Sequence, residues 1–328
     1  MKKIKITTAL TVLLSIVVSV KSQDIRFSQH LYSNPLKLNP ALMSINPDLK
    51  VILNYRNQWG NIDKGFNTYS LTAMYPLYIG DSENKLDLGL SALSDKYGAF
   101  SKLDISLSVG YNLKVADNNY INLTLQGGYI QQSLSTSGLT FDDQYVLGDY
   151  NSSNTSNEVI ASDKKGIPDF GCGFLWNYST TRDESRLNGF AGFSVFHVNE
   201  PEMVFFNGID KIPRRYSYQL GLKILGKSKL DFIPNIIGNI QGGSSDISSG
   251  LYINYNFSET SKLITGVWYR KSKEIACFIG FEHRYFMVGY SYDFPNSSMN
   301  TNIPGIYTHE ISLLFKLNMK KDDTKPML

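Results

Sequence analysis

The feature that most restricts the fold of this chain is an apolar–polar alternation with a period of two, repeated in block after block along most of its length. Leu103, Ile105, Leu107, Val109, Tyr111 and Leu113 alternate with Asp104, Ser106, Ser108, Gly110 and Asn112. Phe286, Val288, Tyr290, Tyr292 and Phe294 alternate with Met287, Gly289, Ser291 and Asp293, and the pattern recurs over 86–92, 251–258 and 310–317. Successive side chains of a strand point to opposite faces, so each block is a strand with one apolar, aromatic face and one small, polar or charged face. The blocks are about 9–12 residues long, the length of a tilted membrane strand rather than the roughly 5–6 residues of a soluble one. Tyr and Phe gather toward the block ends, where interfacial girdles lie. The alternation alone also permits a secreted sandwich or propeller. Block length, aromatic placement and an export signal favour an all-β fold: a transmembrane, antiparallel, up-and-down outer-membrane β-barrel of about 14 strands, an even number as in single-chain bacterial barrels.

The strands are expected at 49–56, 67–78, 85–94, 101–115, 119–134, 167–178, 187–198, 214–225, 229–242, 248–258, 261–271, 274–282, 285–294 and 309–319. The longest connections after the first are then 135–166, 199–213 and 295–308, the fifth, seventh and thirteenth. All three fall on one side, the outer one if both termini are periplasmic, while even-numbered connections such as 116–118, 226–228 and 259–260 are tight.

The first 22 residues read as a signal peptide. Lys2, Lys3 and Lys5 precede the apolar stretch Ala9 to Val20, which is too short to span a bilayer, and small residues place cleavage between Ser22 and Gln23. No Cys follows this stretch, so a lipoprotein signal is not indicated. Without its four lysines, Lys plus Arg falls from 32 to 28 against 29 acids, so the mature chain has no basic excess to suggest a nucleic-acid partner. A hydrophobic content of 42% excludes disorder, and two cysteines exclude a disulfide scaffold. Segment 23–48, with Asn34-Pro35, Asn39-Pro40 and Asn46-Pro47, does not alternate and reads as an irregular stretch at the periplasmic mouth or entering the lumen. It serves there as a plug or lid, or as a docking surface. The barrel covers 49–319, and 320–328 reads as a flexible periplasmic tail.

Little in the sequence carries chemistry. His30, His197, His283 and His309 are isolated, with no second His or Cys at ligand spacing. Cys172 and Cys277 have lipid-facing parity on the expected sixth and twelfth strands, which are not neighbours, so no disulfide is expected. Asp142 and Asp143 lack a His in their loop, and no nucleophile elbow, P-loop or dinucleotide fingerprint is present. The chain is read as a non-enzyme with no catalytic residue, metal or cofactor. Lys85, Asp87, Asp104, Lys114, Lys223, Glu310 and Lys316 have lumen parity, which suits either internal ion pairing or a polar channel.

The mature N-terminus QDIRFSQHLYSNPLKLNPALMS, followed by YRNQWGNI, resembles the PorP/SprF family of outer-membrane proteins of the type IX secretion and gliding machinery. The likeness lies in Gln23, Asp24, Phe27, Ser28 and Gln29; in Asn39, Pro40 and Ala41; and in Tyr55, Arg56, Gln58 and Trp59. Later pieces are PDFGCGFLW, RRYSYQLG, VGYSYDFP and HEISLLF. The resemblance implies a barrel that assists secretion, and then surface anchoring, of a large adhesin or other cargo with a C-terminal sorting domain. It also implies partners among periplasmic peptidoglycan-associated components, with outer-membrane lipid around the barrel. Tyr55, Arg56, Gln58 and Trp59 are then either an aromatic girdle plus an ion pair or a cargo contact. Phe141, Asp142, Asp143 and Tyr145 lie in the long polar loop, which is either the recognition surface or a disordered loop. The alternatives to a cargo anchor are a transport barrel for small hydrophobic or polar solutes and a surface enzyme, the latter needing an acid–His cluster that the loops lack.

Overall fold

Fourteen long strands close into a single antiparallel barrel in which each strand pairs with its neighbours in sequence and the last returns to the first. They are β1 (Leu49–Gln58), β2 (Phe66–Tyr78), β3 (Lys85–Tyr97), β4 (Phe100–Ala116), β5 (Asn119–Leu134), β6 (Lys164–Tyr178) and β7 (Leu187–Phe196). They continue as β8 (Arg215–Leu225), β9 (Leu230–Gln241), β10 (Ser244–Asn256), β11 (Ser261–Arg270), β12 (Ile275–His283), β13 (Phe286–Phe294) and β14 (Thr308–Leu317). This computed structural model describes residues 24–45, 48–60, 65–79, 84–135, 139–146, 149–151, 154, 164–180, 185–203, 210–226, 229–294 and 306–317. The expected signal peptide with its cleavage point at Ser22 and Gln23, and the expected tail at 320–328, lie outside these residues.

The strand limits follow the alternation closely, with one instructive exception. β10 begins four residues before the expected 248, because Gly242 and Gly243 both adopt left-handed backbone (φ +59° and +83°) and close the hairpin in two residues. The polar run Ser244-Ser245-Asp246 looks like loop in the sequence, yet Ser245 pairs with Ile240 and Asp246 with Asn239. The long connections 135–163, 197–214 and 295–307 all leave one end of the barrel, called here the loop end; β1 begins and β14 finishes at the other, the terminal end. Two short ribbons, Tyr145–Val146 with Asp149–Tyr150 and Glu202–Met203 with Asp210–Lys211, stand on the loop end.

The faces of the barrel settle its solvent. Along β4 the exposed residues are Leu103, Ile105, Leu107, Val109, Tyr111 and Leu113, while Asp104, Ser106, Ser108 and Asn112 are buried. Every strand repeats this, with apolar side chains such as Leu125 (73% exposed) turned outward. A water-soluble sheet does the reverse, and an exposed apolar band of this extent fits only a hydrocarbon surround. Contacting aromatic rings mark the band's edge at the loop end, Trp59–Phe66–Tyr97–Phe100 on one arc and Phe294–Tyr292–Tyr307 on another. Tyr255–Phe257 and Phe281–Phe286 do so at the terminal end. Cys172 and Cys277 are free, on the outward parity of β6 and β12.

Candidate functional site: the plugged lumen

The lumen is occupied by the chain's own N-terminus. Residues 24–45 run inside the barrel from the loop end to the terminal end, where the chain enters β1, and nearly all of them are buried. Two Asn-Pro pairs shape the path. Proline restricts itself and the preceding residue, so Asn39 is extended (φ −159°, ψ 121°) and the chain breaks into turns at His30–Tyr32, Pro35–Leu38 and Pro40–Ile45. Tyr32, Leu36 and Met43 pack on inward apolar residues of β1, β2 and β9–β14, among them Ile52, Ile233, Trp268 and Phe278. The Tyr32 ring lies parallel to Phe278 at 5.4 Å, and the His30 ring sits 4.1 Å from that of Trp268.

Against the other wall the plug is held by Asn39. Its Nδ2 donates to Gln219 Oε1 (2.9 Å) and to the Phe174 carbonyl (3.1 Å), and its Oδ1 accepts from the Ala41 amide (2.9 Å). This depth of contact requires that two facing strand positions have no side chain. A Cβ at Gly173 would collide with Asn39 Oδ1 and stand 3.0 Å from the Ala41 amide, and one at Gly192 would come within 2.8 Å of Asn39 Nδ2. Asn39→Ala is expected to lose about 1–3 kcal/mol of stability by leaving the Ala41 amide and Gln219 without their partner, read as the urea midpoint in detergent micelles.

Two charged clusters pin the plug at the loop end. In the first, Glu310 of β14, fully buried, accepts from the amides of Ser28 (2.7 Å) and Gln29 (3.3 Å), from Asn54 (3.2 Å) and from Arg56 (3.1 Å). Gln29 donates to the Glu310 carbonyl, and Ser312 donates to Gln29. The Ser28 hydroxyl donates to Asp293 (2.6 Å), which also pairs with Arg270 (3.1 Å). In the second cluster Asp24 receives His197 (2.7 Å), Arg215 (3.1 Å) and Lys102 (3.2 Å). The other ring nitrogen of His197 faces Asp169 (2.8 Å), and Lys37 pairs with Asp104 (2.6 Å). Burial works against ionisation at both Asp24 and His197. The cations around Asp24 outweigh it and hold that carboxyl well below its usual range, and the two carboxylates hold His197 above its usual value.

The sign of the pH effect follows. His197, raised in the folded chain, contributes stability that is present in full below its unfolded value near 6.5 and lost as pH rises through its raised value. Asp24, lowered, contributes stability that is lost only as pH falls through its depressed value. Amide exchange at residues 24–29 is therefore expected to accelerate above neutrality, beyond the intrinsic rate, and to lose this pH dependence in His197→Gln.

The family-motif residues divide between the two faces. Phe27, Gln29, Asn39, Pro40 and Arg56 are buried in the lumen, and Gln58 accepts from Arg56 (3.3 Å). Tyr55 faces outward beside Tyr69, with its hydroxyl donating to Asn67, and Trp59 packs on Phe66 with its amide donating to the Tyr307 carbonyl. Tyr55 and Trp59 thus lie at the loop-end edge of the barrel's outer face, while Arg56 takes part in the ion-pair network. The loop group stands apart: Asp142 and Asp143 are exposed on a short 3-10 turn, Tyr145 is exposed where the ribbon begins, and Phe141 is half-buried. His197, isolated in sequence, lies between two carboxylates in space. Among the described residues no group of three His, Cys, Asp or Glu is arranged to hold a metal.

A family profile described as "Type IX secretion system membrane protein PorP/SprF" matches residues 19–315. The chain belongs to the PorP/SprF family. Among curated proteins, no sequence matches it significantly. Among solved structures, this PorP/SprF barrel is similar to the toluene transporter TodX of P. putida (TM-score 0.51, 10% identity, 87% of this chain and 93% of that one). It is also similar to the toluene transporter TbuX of Ralstonia pickettii (TM-score 0.54, 10% identity, 86% and 92%) and to the monoaromatic hydrocarbon channel CymD (TM-score 0.52, 11% identity, 87% and 91%). At these identities the likeness is one of fold: an outer-membrane β-barrel.

Proposed function

We propose that this PorP/SprF barrel acts without catalysis as an outer-membrane anchor of type IX secretion, assisting export of a large surface protein with a C-terminal sorting domain and then holding it at the cell exterior. The observation that carries this reading is the plug: a segment packed against both walls and bound at the loop end through the ion pairs of Asp24 and hydrogen bonds to Glu310 suits holding rather than permeation. With an even strand number the start of β1 and the end of β14 share one side, the periplasmic one in a bacterial barrel, so the long loops face outward. The exposed turn at Asp142 and Asp143, with Tyr145 beside it, then faces cargo. Periplasmic peptidoglycan-associated components of the same machinery would meet the terminal end. Family membership supports the secretion role; solute transport draws on likeness of fold alone.

The test is affinity capture of the chain, tagged at its C-terminal tail, from detergent-solubilised outer membranes, alongside solute flux in liposomes. Recovery of a large surface protein with a C-terminal sorting domain, together with flux no higher than in empty liposomes, is expected. A barrel recovered alone that passes solutes would overturn the anchor reading in favour of transport.

A further inference from the structure

At the terminal end of the lumen, charge is arranged differently from the loop end. Lys50 of β1 and Lys316 of β14 are direct cross-strand partners, both on the lumen face and both buried. Like charges in that position repel. Lys316 is compensated by Glu282 (2.8 Å), but the same carboxylate already serves Lys262 (3.3 Å). Lys50, only 5% exposed, has no hydrogen bond or ion pair among the described residues. Glu282 and Asp48 attract its charge without an ion pair, while Lys316 and Lys262 repel it. A buried ammonium without a counter-ion is costly, so a position of this kind calls for an anion.

Lys50, Lys316 and Glu282 line a cavity beneath the plug, with Leu42 and Ile52 on its apolar wall. The Tyr32 hydroxyl lies at the same cavity, buried and with no partner among the described residues. We infer that this cavity binds a single small oxyanion, a carboxylate or phosphate group, between the ammonium groups of Lys50 and Lys316, with the Tyr32 hydroxyl as a further donor. Lys50 and Lys316 lie on the lumen face one residue from the terminal-end limits of β1 and β14, so the group arrives from the aqueous side there, either as a free ion or as the carboxylate of a polypeptide. This inference is independent of the anchoring role.

The experiment uses the full mature chain folded in detergent micelles, with its thermal midpoint followed at constant ionic strength. Inorganic phosphate and a blocked Glu-Glu dipeptide are each compared with sodium chloride. A rise in midpoint with phosphate identifies a free oxyanion as sufficient, and a rise with the dipeptide alone identifies a polypeptide carboxylate; either supports the site. Lys50→Met, which removes the repelling charge at similar volume, is expected to unfold no earlier than the wild type in chloride and to lose the response. Lys50→Arg is expected to retain it. Phosphate binding measured directly by calorimetry should weaken about tenfold or more in Lys50→Met, the loss of one charged hydrogen bond, and this holds even if thermal transitions prove irreversible. Equal responses in wild type and Lys50→Met, or no response to either probe beyond chloride, would sink the inference.

Discussion

Glu310→Ala is expected to lower stability by about 3–5 kcal/mol and to free the first turn of the plug, because it leaves a buried guanidinium short of its counter-ion. Glu310 is fully buried and is the common acceptor for the amides of Ser28 and Gln29 and the side chains of Asn54 and Arg56. With the carboxylate gone, Arg56 retains Asp293 at 3.6 Å, but that acid already serves Arg270 and Ser28. The two plug amides lose their acceptor in a place where water cannot easily replace it, and this adds to the loss. Urea unfolding in micelles should show the shift, and amide exchange should show residues 24–32 opening before the barrel does. The double variant Arg56→Met, Glu310→Ala removes the stranded charge as well, so it is expected to recover part of what the single variant loses. A single variant within about 0.5 kcal/mol of wild type, the range of an ordinary surface change, would mean that the cluster does not hold the plug.

The Arg56–Glu310 pair also marks the limit of what alternation reveals. Parity places Glu310 on the lumen face of β14 from the sequence alone, and the same parity applied to β1 turns Arg56 inward and Tyr55 outward. What parity does not fix is register between strands that share no turn. Arg56 and Glu310 are 254 residues apart, and they face one another only because β1 and β14 close the barrel with Leu49 opposite Leu317. The signal was available in part: an up-and-down barrel must pair its first and last strands, and sliding those two past each other to match opposite charges finds this register. The Asp24–His197 contact had no such route. His197 follows β7 in a loop, and Asp24 reaches it only after the N-terminal segment has run the length of the lumen. A polar His and a polar Asp in irregular segments carry no period from which a meeting could be read. The two-residue turn at Gly242-Gly243 was missed for a local reason, since serines after a glycine pair resemble more loop rather than the start of a strand with a polar lumen face.

The second large effect is expected from adding volume rather than removing charge. Gly173→Val places a branched side chain on the lumen face of β6, where even a Cβ meets Asn39 Oδ1, with the Ala41 amide and the Pro40 ring each at 3.0 Å. The backbone atom among these cannot rotate away, so either β6 or the plug must shift. β6 is tied along most of its length to β5 and over its second half to β7, whereas the plug here is held by side-chain bonds from Asn39 and by packing. The plug is therefore the part that gives. Overpacking of a filled interior costs about 1–3 kcal/mol. The larger consequence is functional: with Asn39 displaced, the wall lined by Gly173, Gly192 and Gln219 parts from the plug and a continuous aqueous path opens beside it. In planar bilayers the wild type is expected to stay closed and Gly173→Val to conduct. Asn39→Ala added to Gly173→Val removes the worst contact and leaves the two at 3.0 Å, so it should restore part of the stability without closing the path. A Gly173→Val barrel that stays closed, at wild-type stability and with unchanged exchange over residues 34–43, would show that the N-terminal segment does not fill the lumen as a plug.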